Sequence, residues 1–102
     1  MNAEILFVKP SRFEDTLKYI DYISNDVILH INFHTLEKKI SQRVMDFVSG
    51  AVFIKEGTIV VLGENVICII PKGKTYTKEY KTMGETVMEV TYDEEEEIRP
   101  KF

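Results

Sequence analysis

His30 and His34 are the first residues in this sequence that metal chemistry would call on. Two imidazoles four residues apart share an ion when they ride one helix face, with a carboxylate or thiolate beside them. Here they straddle the end of an apolar run and a loop, so solvated or locally bonded histidines are the simpler reading. Cys68 stands among Ile and Val in a strand-like run and reads as a small buried apolar residue. Asp15, Asp21 and Asp46 are scattered, with no carboxylate pair spaced for acid–base work. Ser49 has no partner base in sequence, and a helix-end role suits it better than that of a nucleophile. The chain has no phosphate loop, GxGxxG, HExxH or CxxC. These residues argue against an enzyme and give no reason to expect a metal or a cofactor.

Recognition chemistry is better represented. Arg43 and Asp46, three apart, are neighbours if they lie on a helix and can pair with each other. Alternatively, Arg43 offers its forked donors to a partner's carboxylate while Phe47 supplies apolar contact. Composition does not choose between the two. Asp93 to Glu97 supply five consecutive acids, and without them the net charge of −4 would become +1. The run reads as a solvated tail, or as a competitor for a small basic patch at Lys38, Lys39 and Arg43. With a nearly neutral body, no nucleic-acid surface built on bulk positive charge is expected.

The elements that must position these residues follow from hydrophobic spacing. Ile5 to Val8 is a short strand closed by Lys9–Pro10. Ser11 and Glu14 make a capping box that opens a first helix, with Phe13, Leu17, Ile20 and Ile23 as its apolar stripe. Val27 to Phe33 is a second strand, apolar enough for burial on both faces. Thr35 is the expected N-cap of a second helix with Leu36, Ile40, Val44, Phe47 and Val48 facing the core and Ser49–Gly50 ending it. Ala51 to Ile54, Thr58 to Leu62 and Val66 to Ile70 then read as three strands joined by glycine-bearing hairpins. The expectation is a two-layer α/β (α+β) sandwich of order βαβαβββ: a mixed five-stranded sheet with two helices on one face. An extra C-terminal hairpin is allowed by the strand propensity of Thr86 to Tyr92.

One hundred and two residues suit a single domain. Its expected organisation is a core over 1–71, a strand-like extension over 72–92 and an acidic, mobile tail over 93–102. A single cysteine permits no internal disulfide and suits a reducing cytoplasm. No apolar run approaches the roughly 20 residues of a membrane span, and the N-terminus lacks a basic signal-peptide region. The chain reads as cytosolic.

At Gln42–Arg43–Val44–Met45–Asp46–Phe47–Val48–Ser49–Gly50–Ala51–Val52–Phe53 the sequence resembles the SepF family of cell-division proteins. The likeness continues through Gly57–Thr58–Ile59 and Leu62–Gly63–Glu64–Asn65–Val66 to Pro71, and covers about Ile5 to Pro71. It implies a non-enzymatic adaptor at the division site that dimerises, associates further into polymers, and binds the C-terminal peptide of the tubulin-like GTPase FtsZ. Carried over by position, Arg43, Asp46 and Phe47 become peptide-binding candidates, and Gly50, Val48 and Phe53 self-association candidates. Gly50 has two readings: it ends the helix, or it lets two backbones meet. Members of the family usually begin with an amphipathic membrane-binding helix; this chain starts almost at the first strand, so membrane association is not expected from these residues alone. The alternative function is a dimerising regulatory domain that senses a small molecule, which would need an enclosed pocket with convergent polar groups.

Overall fold

The computed structural model describes residues 3–81 and the backbone of 90–91 and 99–100. Strand β1, Ile5–Val8, leads through a 3-10 turn at Phe13–Asp15 into helix α1, Thr16–Ser24. Strand β2, Ile28–Asn32, is followed by the long helix α2, Lys38–Lys55, and by the hairpin of β3, Thr58–Gly63, and β4, Val66–Ile70. These four strands form a mixed sheet in the order β1-β2-β4-β3. β1 pairs with β2 in parallel, while β2 and β3 both flank β4 antiparallel. Beyond β3 the backbone of β5, Val90–Thr91, and of β6, Arg99–Pro100, adds two short antiparallel strands.

Strand alternation gives the sheet two different faces. Leu29, Ile31, Ile59 and Ile69 point to one side and are fully buried, or nearly so, in a cluster with Val44, Val48 and Val52 of α2 and Tyr19 and Ile23 of α1. Burying each of the aliphatic side chains contributes roughly 1.5–3 kcal/mol, so this layer is what holds the helices to the sheet. The opposite side carries a smaller cluster of Val60, Cys68 and Ile70, with Ile28 and Leu62 packed against it.

The fold class is a mixed α+β sandwich with two helices among the described residues, and several boundaries differ from expectation. Ala51 to Ile54 is not a strand but the end of α2, which passes through Ser49 and Gly50 without stopping. The reason lies in spacing: Val44, Val48 and Val52 fall at i, i+4, i+8 and are all fully buried, so the helical stripe continues where a short apolar run had suggested a strand. The helix ends at Glu56, in the left-handed conformation at φ 57°, where the amides of Glu56 and Gly57 return to the carbonyls of Phe53 and Val52. Lys55–Glu56–Gly57 is therefore a helix cap rather than a hairpin.

The start of each helix also shifts. Asp15, not Glu14, closes the first turn of the α1 region, its carboxylate accepting from the Ser11 amide at 3.0 Å and the Arg12 amide at 3.4 Å. The Ser11 hydrogen bond holds its carboxyl below the usual carboxylate range. Because the turn is 3-10, with fewer residues per revolution, the Phe13–Leu17 spacing no longer shares one face. Thr16, Tyr19 and Ile23 take the inner positions and Leu17 is left exposed. Thr35 does not cap α2, which begins at Lys38; its hydroxyl donates to the Pro10 carbonyl instead. β2 is buried on one face only, its alternate residues being half-exposed. The expected strand over Thr86 to Tyr92 falls mostly, and the acidic run wholly, outside the described residues.

Candidate functional site

The outward face of α2 gathers most of the recognition residues. Arg43, Asp46, Phe47, Gly50, Phe53 and Ile54 are all exposed, while Val44, Met45, Val48, Ser49 and Val52 between them are buried. A helix long enough to span five turns can do both, since one stripe seats it on the sheet and the opposite stripe faces solvent. Phe47 is 47% exposed and Ile54 80%, an unusual outlay of apolar surface for a helix that already has a core face.

Arg43 is held in place by an aromatic neighbour from the preceding element. Its guanidinium carbon lies 4.3 Å from the centroid of the Phe13 ring. Phe13 in turn meets Phe47 edge-on, with centroids 5.8 Å apart and planes at 80°. The Asp15 cap fixes the turn that carries Phe13, so a backbone hydrogen bond on one element orients a side chain on another. The ring attracts the cation without using up its N–H donors, which are the groups that grip a carboxylate. Asp46 accepts from Gln42 Nε2 at 2.9 Å, one turn back on the helix. Arg43 and Asp46 thus have separate local partners, Phe13 and Gln42, in place of the pairing with each other.

The self-association candidates divide. Gly50 is exposed at mid-helix, and nothing lies within 4 Å of where its Cβ would stand. Phe53 is partly exposed on the same side. Val48 is fully enclosed in the core, which leaves no side-chain surface for a partner. Phe13 and Leu17 read from sequence as core positions of a helix and Ile54 as part of a strand; in the structure Leu17 and Ile54 are exposed and Phe13 is half-buried.

The other chemistry-bearing residues stay apart. His30 lies on the outer sheet face with its ring centroid 5.0 Å from that of Phe7, and the His34 amide donates to Asn32 Oδ1. Cys68 is buried in β4 opposite His30, and burial pushes its thiol up from the ordinary value. Among the described residues no group of three His, Cys, Asp or Glu converges on a possible metal position, and no helix is long and apolar enough to cross a membrane. A groove of about 180 Å³ lies between the start of α2 and the β3–β4 hairpin, lined by Phe33, Lys38, Gln42, Met45 and Asn65 among others. That is below the roughly 300–1,000 Å³ of small-molecule sites, whereas a second cavity of about 440 Å³, beside Asp21, Tyr22, Asn25 and Lys74, lies within that range.

Comparison with known proteins places this geometry. The family model for "Cell division protein SepF" matches residues 5–75. A cell division protein SepF from Finegoldia magna is 35% identical over 65 residues, which are 64% of this chain and 40% of that protein. One from Clostridium botulinum is 29% identical over 82 residues, 80% of this chain and 55% of the relative. The chain thus spans about half the length of these relatives. Among solved structures, a SepF-like protein from Archaeoglobus fulgidus shares the fold with a TM-score of 0.67 at 18% identity, covering 76% of this chain and 95% of that one. The chain belongs to the SepF family of cell division proteins.

Proposed function

We propose that this chain is the globular part of a division adaptor that binds the C-terminal peptide of FtsZ on the outward face of α2 and associates with further copies of itself at the division site. The observation that carries the reading is the Arg43–Phe13–Phe47 cluster: a charged fork, oriented by one ring and flanked by a second ring that is half-open to solvent. Such a surface suits a short peptide bearing a carboxylate beside apolar side chains, since Arg and aromatic anchors supply most of the energy in small interfaces. Individually weak contacts suffice when many copies act together on a filament, because the second contact then forms at high effective concentration.

Self-association is supported by Gly50. Glycine inside a helix costs about 0.5–1 kcal/mol relative to alanine. Nothing lies close enough to Gly50 to require the missing side chain. Close approach of a second backbone gives that cost a purpose, with Phe53 alongside as apolar contact. Arg43 and Gly50 are seven residues apart, about 10 Å along the helix, so the two surfaces can serve at once.

Titration of the purified chain with the C-terminal peptide of its host's FtsZ tests the reading. Wild type should bind, with Arg43→Ala and Phe47→Ala each weaker by about tenfold. A well-folded wild type that binds no peptide removes the adaptor reading. In light scattering, Gly50→Lys should give smaller species than wild type; unchanged assembly would take Gly50 out of the interface.

A further inference from the structure

The two long edges of the four-stranded sheet are protected in different ways. β1 is only four residues long and is bracketed by Glu4 on one side and Lys9–Pro10 on the other, a charge-and-proline pattern that discourages pairing with another chain. β3 is longer, and its sequence Thr-Ile-Val-Val-Leu-Gly has no charge and no proline. A six-residue segment of that composition on an open edge is a ready template for a second strand.

The chain covers that edge with its own continuation. Directly after β4, the Lys74 amide donates to the Pro71 carbonyl at 3.2 Å, and Gly73 sits at φ +85°, closing a tight turn. Lys72 within the turn pairs with Glu56 at the cap of α2. Beyond the turn the chain returns to β3. At the far end of that strand, the Tyr80 hydroxyl donates to the Leu62 carbonyl at 2.8 Å, and Lys78 lies over the Tyr80 ring. Leu62 falls between the pairs Val61–Ile67 and Gly63–Val66, where the register with β4 shifts. Such bulges leave the extra residue outside the ladder. Near the other end, Val90 pairs antiparallel with Ile59. The family match stops at residue 75, before both Tyr80 and Val90.

We propose that residues 71–81 and the strand at Val90–Thr91 act as an edge guard, in which the 71–74 turn, the Tyr80–Leu62 hydrogen bond and the Val90–Ile59 pairing keep the β3 edge from pairing with β3 of a second copy of this chain. Release of the guard opens a self-association edge that is separate from α2. The partner is a second copy because an edge without charge or proline pairs most readily with its own equal, antiparallel across a two-fold axis. The inference does not depend on peptide binding or on Gly50.

The test uses the full chain. Tyr80→Phe removes one exposed hydroxyl and leaves the core untouched; Val90→Pro removes the amide of β5, which proline cannot replace. Hydrogen exchange of the 58–63 amides should rise roughly fivefold in Tyr80→Phe, the effect of losing one hydrogen bond, with the α2 amides unchanged. Sedimentation is compared in a Gly50→Lys background, so that assembly through α2 does not enter. There, adding Tyr80→Phe and Val90→Pro should produce species that grow with concentration beyond the Gly50→Lys parent. If the double change unfolds the chain, Tyr80→Phe alone in the same background should still shift the concentration dependence in that direction. Unchanged exchange at 58–63 would overturn the contact, and faster exchange with parental sedimentation would overturn the guarding role.

Discussion

Val44, Val48 and Val52 run along one side of α2 and are fully enclosed, whereas Arg43, Phe47, Gly50 and Ile54 run along the other and are open to solvent. Both stripes contain apolar residues at helical spacing, and the sequence alone gives each an equal claim to the core. What separates them is the sheet, which can be touched from one side only. Once Leu29, Ile31, Ile59 and Ile69 have taken the three valines, Phe47 keeps only the edge of Phe13 and Ile54 stays open to solvent. The glycines of this region differ in the same way. A Cβ on Gly57 would stand 2.9 Å from the Ile70 carbonyl oxygen, while one on Gly50 would meet nothing. One glycine is required by the fold; the other is not.

Substitutions can break that contrast. Val48→Asp should have the largest effect, costing about 4 kcal/mol or more because it places a charge without a partner among Val44, Val52 and the sheet. Denaturant unfolding followed by circular dichroism measures it, and a loss of under about 1 kcal/mol would mean that the buried face yields easily. Gly57→Ala should cost about 1–3 kcal/mol in the same experiment, since a backbone oxygen rather than a mobile side chain occupies the space. On the open face, Arg43→Ala should lose only about 0.5–1 kcal/mol of stability, the worth of its stacking on Phe13, while weakening peptide binding. Equal losses in stability and binding would make Arg43 a structural residue.

The buried side also answers to pH. Burial pushes the Tyr19 phenol up to about 12, with Asp15 and Tyr22 adding smaller repulsions. Its value in the folded chain lies above the ordinary value of about 10, so the stability it contributes is intact below pH 10 and is lost as pH rises toward 12. Tyr19→Phe should therefore flatten the alkaline fall in stability across that window, as followed by melting temperature at stepped pH. The smallest effect is expected at Gly50→Ala: a gain of about 0.5–1 kcal/mol in stability from helix propensity, together with weaker self-association. A loss of stability there would show that Gly50, like Gly57, serves the chain's own fold.

Much of the fold was legible because it is local. The first two strands, the two helices and the β3–β4 hairpin follow from periodicity and from the turn residues Gly63, Glu64 and Asn65. The misreadings share a cause. Ala51 to Ile54 has the length and branching of a strand, and Ser49–Gly50 has the look of a stop, so local signals pointed away from the helix that core packing imposes. The 3-10 turn at Phe13–Asp15 likewise changed which residues of α1 face inward, and no pattern of apolar residues announces a change in helical pitch.

By itself, then, the sequence determined the family, the helix that bears Arg43, Asp46 and Phe47, and the presence of a glycine among them. Only the tertiary structure decided that Arg43 stacks on Phe13, that Asp46 turns to Gln42, that Val48 faces inward and that Gly50 lies open at mid-helix. Periodicity tells which residues share a face, but which face is buried depends on the one side from which a sheet can receive a helix.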